Sequence, residues 1–118
     1  MHALLVLWDL SAGSKASFEE LREYLWEKSM PRFRQMEGLR QKTWISNPQT
    51  GTWGALYLFE RREQAEAVVV HLDESPVVAM TGRKATWQLF DVETVVEGQH
   101  EGTDLLSTGL VWASRQAV

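Results

Sequence analysis

Three side chains able to move a proton or hold an anion fall in the aromatic-rich stretches of the chain: Lys42, Tyr57 and Asp91. Around them stand Trp8, Trp44, Trp53 and Trp87, with Phe59 two residues after Tyr57. A carboxyl group whose pKa is raised by burial can serve as a base, while an ammonium or a phenol can stabilise an anion. Tryptophan is the best residue for building the walls of a pocket and the costliest to leave in water, so six in 118 residues demand placement. Each of these residues also has a structural reading. The tryptophans can be core or subunit contact, Lys42 can be a charge that keeps an edge strand from aggregating, and Asp91 can be a surface carboxylate late in a strand.

Other chemistries find no support. The chain has no GxGxxG after a strand, no Walker loop, no HExxH and no GxSxG. It has no cysteine, which excludes disulfides, thiolate metal sites and a Cys nucleophile. His2, His71 and His100 are scattered without metal-ligand spacing, and His71 reads as a partly solvated surface residue. We therefore expect no flavin, haem or metal. Twelve Lys and Arg against sixteen Asp and Glu give a net charge of -4, which repels a phosphate backbone, and Arg61-Arg62 and Arg83-Lys84 fall at element ends. Nucleic acid is not an expected partner. No apolar stretch approaches the ~20 residues that span a bilayer. Residues 1–7 run directly into a strand pattern with no basic leader, so the expectation is a cytoplasmic protein away from membranes.

The elements that must position these residues follow from the pattern. His2 to Asp9 is apolar on both faces and reads as a central strand. Ser17 and Glu20 have capping-box spacing ahead of a helix carrying Phe18, Leu21 and Leu25. Pro31 should kink or restart that helix, with Ser29 as a new cap, before Met30, Phe33 and Met36 carry the stripe to Gly38. Leu39–Ser46 and Thr52–Glu60 form a hairpin across Asn47-Pro48-Gln49-Thr50-Gly51. A second helix starts near Arg61 with Ala65, Val68, Val69 and Leu72 on one face. Ser75-Pro76 opens a short helical turn that Gly82 closes, and Ala85–Val96 reads as a fourth strand.

The order βαββαβ predicts an α+β, ferredoxin-like domain over residues 1–96, with two helices on one face of a four-stranded antiparallel sheet. Alternation suggests that Gly54, Leu56 and Leu58 face the helices. That leaves Trp53, Ala55, Tyr57 and Phe59, with Lys42 and Trp44, on the open face, and Trp8 and Trp87 are candidates to join them. Four aromatics present roughly 600–1,000 Å² of apolar surface, beyond what a monomer usually exposes, so a homodimer or higher even oligomer is expected. Residues 97–118 form an extension whose apolar side, Leu105, Leu106, Leu110, Val111 and Trp112, should pack on the dimer. Leu106 and Leu110 suit a short helix, and Leu110 and Trp112 an added strand.

Gly38-Leu39-Arg40-Gln41-Lys42-Thr43-Trp44, the hairpin, Gly54-Ala55-Leu56-Tyr57-Leu58-Phe59 and Phe90-Asp91-Val92 resemble the YdhR-type monooxygenase-like family. That family belongs to the dimeric α/β-barrel superfamily of the antibiotic-biosynthesis monooxygenases. The resemblance covers roughly the first 95 residues. It implies a homodimer, a pocket between sheet and helices, and cofactor-independent oxidation of phenolic or polyketide-like small molecules. In such an oxygenase the substrate supplies the electrons. Asp91 would be the base that forms a phenolate or enolate, Lys42 or Tyr57 would hold the anion, and Trp8, Trp44, Trp53, Trp87 and Phe59 would bind the substrate. Trp8 stands where a histidine can occur in the family, and the extension exceeds its core length. Two other readings use the same aromatic surface: a cyclase or isomerase of a polyketide-like intermediate, and a non-catalytic binding or dimerisation module.

Overall fold

A computed structural model describes residues 1–102 and 105–116. Residues 103, 104, 117 and 118 of the extension lie outside the described residues. Strand β1 (His2–Asp9) is the centre of a four-stranded antiparallel sheet with order β2-β3-β1-β4, where β2 is Leu39–Asn47, β3 is Thr52–Phe59 and β4 is Ala85–Asp91. This is the expected ferredoxin-like arrangement. A Cβ on Gly54 would lie 2.2 Å from the Val6 carbonyl oxygen, so β3 approaches β1 at a spacing that only glycine permits there.

Helix α1 (Phe18–Tyr24) begins at the expected capping box: Glu20 N–H donates to the Ser17 hydroxyl, and Ser17 N–H donates to the Glu20 carboxylate, both at 3.1 Å. Pro31 acts differently from expectation. The helix neither breaks nor restarts. It widens into a π-helical turn, Leu25–Ser29, in which the Met30 N–H reaches the Leu25 carbonyl, and then continues as α2 (Met30–Arg34). A proline ring clashes with the carbonyl four residues back in α geometry, and the wider turn moves that carbonyl aside. Ser29 caps nothing. It has helical dihedrals and is buried.

Helix α3 (Arg62–Val70) and a 3-10 turn (Leu72–Glu74) carry the predicted stripe. Ser75 caps α4 (Pro76–Thr81) through the Val77 N–H, and Gly82 ends it at φ 74°, a left-handed conformation that suits glycine. His71 is exposed and faces Glu74 at 3.1 Å. Strand β4 is shorter than expected. Its partner β1 starts at His2, opposite Asp91, so beyond Val92, whose N–H reaches the Met1 carbonyl, no ladder remains to join. Val95 and Val96 are exposed.

The faces of the sheet are the reverse of the expectation. Trp8, Val6 and Leu4 pair with Trp53, Ala55 and Tyr57, and all six are buried with Phe59 in one core that Leu21, Leu25, Ala65 and Leu72 complete. The aromatic row of β3 therefore lies under the helices, with Lys42 and Trp44 beside it. The open face carries Leu5, Leu7, Ile45, Leu56, Leu58 and Phe90, of which Ile45, Leu56 and Phe90 are more than 40% exposed. Alternation fixes which residues share a face but not which face the helices cover. Covering the large rings buries more apolar area, and that decides it.

The extension contributes helix α5 (Leu110–Gln116). Its described contacts are within the chain. Trp112 meets Trp26 edge to face at 5.0 Å, Arg115 stacks 4.9 Å from the Trp26 ring and donates to Glu23 at 2.6 Å, and Val111 joins the core. Neither expected arrangement forms as stated: Leu110 and Trp112 lie on a helix rather than an added strand, Leu106 stands in a turn ahead of that helix, and Leu105, Leu106 and Leu110 are exposed. An edge-to-face aromatic pair contributes ~0.5–1.5 kcal/mol beyond its area, whereas an exposed ion pair contributes at most ~1. Trp112→Ala should therefore destabilise the fold by about 1–3 kcal/mol and Arg115→Gln by less. Urea midpoints for the two variants check this ranking.

Candidate active site

Between the sheet and the α1–α2 helix lies a cavity of about 50 Å³. Strands β1, β2 and β3 supply Trp8, Lys42, Trp44, Trp53 and Tyr57 to its wall; Tyr24, Ser29, Arg32 and Phe33 come from the helix, and Val77 from α4. The π-helical turn matters here because it carries Ser29 into the wall and sets Arg32 and Phe33, one turn on, over β2.

Lys42 is the unusual group. Its Nζ lies 3.3 Å from the centroid of the Phe33 ring, 4.4 Å from that of Trp44 and 4.3 Å from that of Tyr57. No carboxylate lines the cavity, and among the described residues Lys42 has no ion-pair partner. Burial without a counter-charge, and to a lesser degree the nearby Arg32 guanidinium, push its pKa down from 10.5 to about 6. The ring faces oppose this, since each cation–π contact favours the ammonium by about 0.5–2 kcal/mol. Desolvation is the larger effect. Burial also holds the Tyr57 phenol up at about 12, so it stays a hydrogen-bond donor at neutral pH. Trp8 presents a buried indole N–H that finds no acceptor. An orphaned donor of this kind costs ~1–3 kcal/mol and marks a place for an oxygen.

Of the residues singled out from sequence, Lys42, Tyr57, Trp8, Trp44 and Trp53 come together. Phe59 does not reach the cavity; it is fully buried behind Tyr57, stacked at 5.8 Å. Trp87 is half exposed on the edge strand β4. Asp91 lies outside. Its exposed carboxylate meets His2 Nδ1 at 3.1 Å, and β4 is three strand spacings, roughly 14 Å, from the strand of Lys42. The expected base is therefore not beside the expected anion holder. Arg32, Phe33 and Ser29 were not foreseen as site residues. Their signal was Pro31, read only as an interruption of the helix.

A second, open depression of about 400 Å³ lies between the β1–α1 loop and the β2–β3 turn, lined by Ser11, Ser14, Ser17, Gln49 and Thr50 beside apolar Leu10, Phe18 and Pro48, without a titratable side chain. The two spaces adjoin. Phe18, in the wall of the depression, packs 6.0 Å from Trp53, in the wall of the cavity.

Comparison with known proteins bears on the family and the fold. Residues 7–102 match the family described as "Putative mono-oxygenase ydhR". No curated protein matches the chain. Among solved structures, SnoaB, a cofactor-independent oxygenase from Streptomyces nogalater crystallised as a mutant, is 8% identical with a TM-score of 0.55, over 82% of this chain and 97% of that one. A dimeric ferredoxin-like protein from an uncultured marine organism is 13% identical with a TM-score of 0.56, over 80% and 96%. A protein described as an antibiotic biosynthesis monooxygenase is 11% identical with a TM-score of 0.53, over 80% and 100%. These likenesses establish the fold.

The sign of the Lys42 shift gives a stability prediction. Below about pH 6 the amine is charged in both states, and the folded protein bears the whole cost of burying it. Between about 6 and 10.5 the unfolded chain binds the additional proton, so stability rises with pH; above 10.5 the cost is gone. Lys42→Met, which keeps the packing, should stabilise the protein by about 1–3 kcal/mol near pH 6, with the gain shrinking towards pH 10. Urea denaturation across that range measures it. With the fold, the cavity and the match over residues 7–102 in hand, the chain belongs to the ydhR mono-oxygenase family.

Proposed function

We propose that the protein is a homodimeric small-molecule oxygenase that works without metal or flavin on phenolic or enolisable, polyketide-like compounds. One observation carries this reading: a lysine amine set against three aromatic rings with no carboxylate in its cavity, an environment that pushes its pKa down to about 6. Family membership and the activity named for SnoaB support it. Lys42 replaces Asp91 as the base. It takes the proton of an acidic C–H or O–H, and the ammonium it becomes pairs with the phenolate or enolate. The buried Trp8 N–H and the Tyr57 hydroxyl are donors for oxygen atoms of the substrate. The substrate anion gives electrons to dioxygen and a C–O bond forms. The O–O bond then breaks with loss of water, so that a CH₂ group becomes C=O while one oxygen atom is retained and the other leaves as water. No external reductant is needed.

The 50 Å³ cavity admits dioxygen but not a fused-ring substrate, so turnover requires the Phe18–Trp53 wall to yield and join the cavity to the open depression. Two observations support dimerisation: the uncovered aliphatic face of the sheet and the dimeric ferredoxin-like neighbour. Two such faces meeting back to back would hide Ile45, Leu56 and Phe90 and leave one whole cavity in each subunit.

Two measurements test this. With an anthrone-type phenol, oxygen uptake should match product formation, fall by ~10²–10⁴-fold in Lys42→Met, and persist in Asp91→Asn. Product formation without oxygen uptake would favour the cyclase or isomerase reading. Sedimentation should show a dimer that Leu56→Glu converts to a folded monomer, because a charge in that face is left unpaired on association. A monomeric parent protein would refute the dimer.

A further inference from the structure

We infer that Lys42 is also a carbonyl-condensing nucleophile, and that the cavity takes a small 2-oxo acid as an imine on its ε-amine. The chain has four lysines. Lys15, Lys28 and Lys84 are exposed, while Lys42 is in the cavity wall, flanked by Phe33, Trp44 and Tyr57. The charged and titratable groups that share this wall are Arg32 from α2, Tyr57 from β3 and Tyr24 from α1, with no Asp or Glu. Nothing there holds the amine as an ammonium by ion pairing, and its pKa of about 6 agrees. A free amine is the form that attacks a carbonyl carbon.

The class of ligand follows from the rest of the wall. Arg32 brings a guanidinium that has no carboxylate partner among the described residues. Trp8 brings a buried N–H without an acceptor. A 2-oxo acid answers both: its carboxylate pairs with Arg32, and its carbonyl oxygen accepts from the neutral donor on arrival and as the carbinolamine hydroxyl, before it leaves as water. A volume of about 50 Å³ limits it to a few heavy atoms, the size of glyoxylate. The amine adds to the carbonyl to give a carbinolamine, which loses water to form the C=N bond; no oxidant or reductant is consumed. This chemistry does not depend on the oxygenase reading, because it needs neither dioxygen nor opening of the Phe18–Trp53 wall.

The test is reductive trapping on the unaltered, folded protein at pH 7. Glyoxylate with cyanoborohydride converts an imine to a stable carboxymethyl-amine, and peptide mapping locates it. At pH 7 the uncharged fraction of a pKa 6 amine exceeds that of an ordinary lysine by roughly a thousandfold. Even with hindered access, Lys42 should be labelled at least about tenfold faster than Lys15, Lys28 or Lys84, and unfolding in urea should erase the difference. Glyoxylate should also label Lys42 faster than acetaldehyde does, and Arg32→Gln should remove that preference. Labelling confined to the surface lysines would overturn the imine. Equal labelling of Lys42 by the two aldehydes would overturn the 2-oxo acid assignment. Neither result bears on oxygen uptake, so this inference and the oxygenase reading fail separately.

Discussion

The orientation of one strand governs this molecule. In β3, Trp53, Ala55, Tyr57 and Phe59 all face the helices, and a strand has only two sides. Once the rings point that way, Lys42 and Trp44 on the neighbouring β2 must point with them, because antiparallel partners opposite one another share a face. The amine is then carried beneath α1–α2, largely out of water and into a wall that has no carboxylate. The other side of the sheet is left with Leu5, Leu7, Leu56 and Leu58, an aliphatic surface suited to shape matching rather than to chemistry. The site and the uncovered face are two consequences of one choice.

Inside the site, two opposing forces act on Lys42. Removal from water favours the neutral amine, and three ring quadrupoles favour the cation. Arg32 adds repulsion. A lysine balanced in this way changes charge at modest cost when an anion arrives, because the rings already present their negative faces to the ammonium. A carboxylate in the wall would have removed this property by fixing the ammonium permanently.

What could be read from the sequence was what short-range chemistry decides. The Ser17–Glu20 capping box, the Asn47–Gly51 turn, the α3 stripe and the Gly82 stop each depend on residues within one turn of one another, and each formed as expected. What could not be read depends on partners distant in sequence. The face of β3 depends on which side the helices cover, and the end of β4 depends on where β1 begins. The same division runs through the site. Lys42, Tyr57 and three of the tryptophans were legible from their types and spacing, whereas Asp91 was included because it lay in a strand, with no way to see that the strand was the far edge. Ser29, Arg32 and Phe33 were hidden by Pro31, whose effect on helix geometry was a widened turn rather than a break.

That widened turn also carries Trp26, and the perpendicular contact between Trp26 and Trp112 has an optical consequence. Two indoles 5.0 Å apart at 84° couple their electronic transitions, so the pair should produce a paired positive and negative circular-dichroism signal absent from isolated tryptophans. The remaining indoles sit in different surroundings, against Phe18, against Phe33 or on an open edge, and would contribute differently. The chain thus carries an intrinsic gauge of whether α5 is docked on the helix that roofs the cavity, readable in solution without any added label.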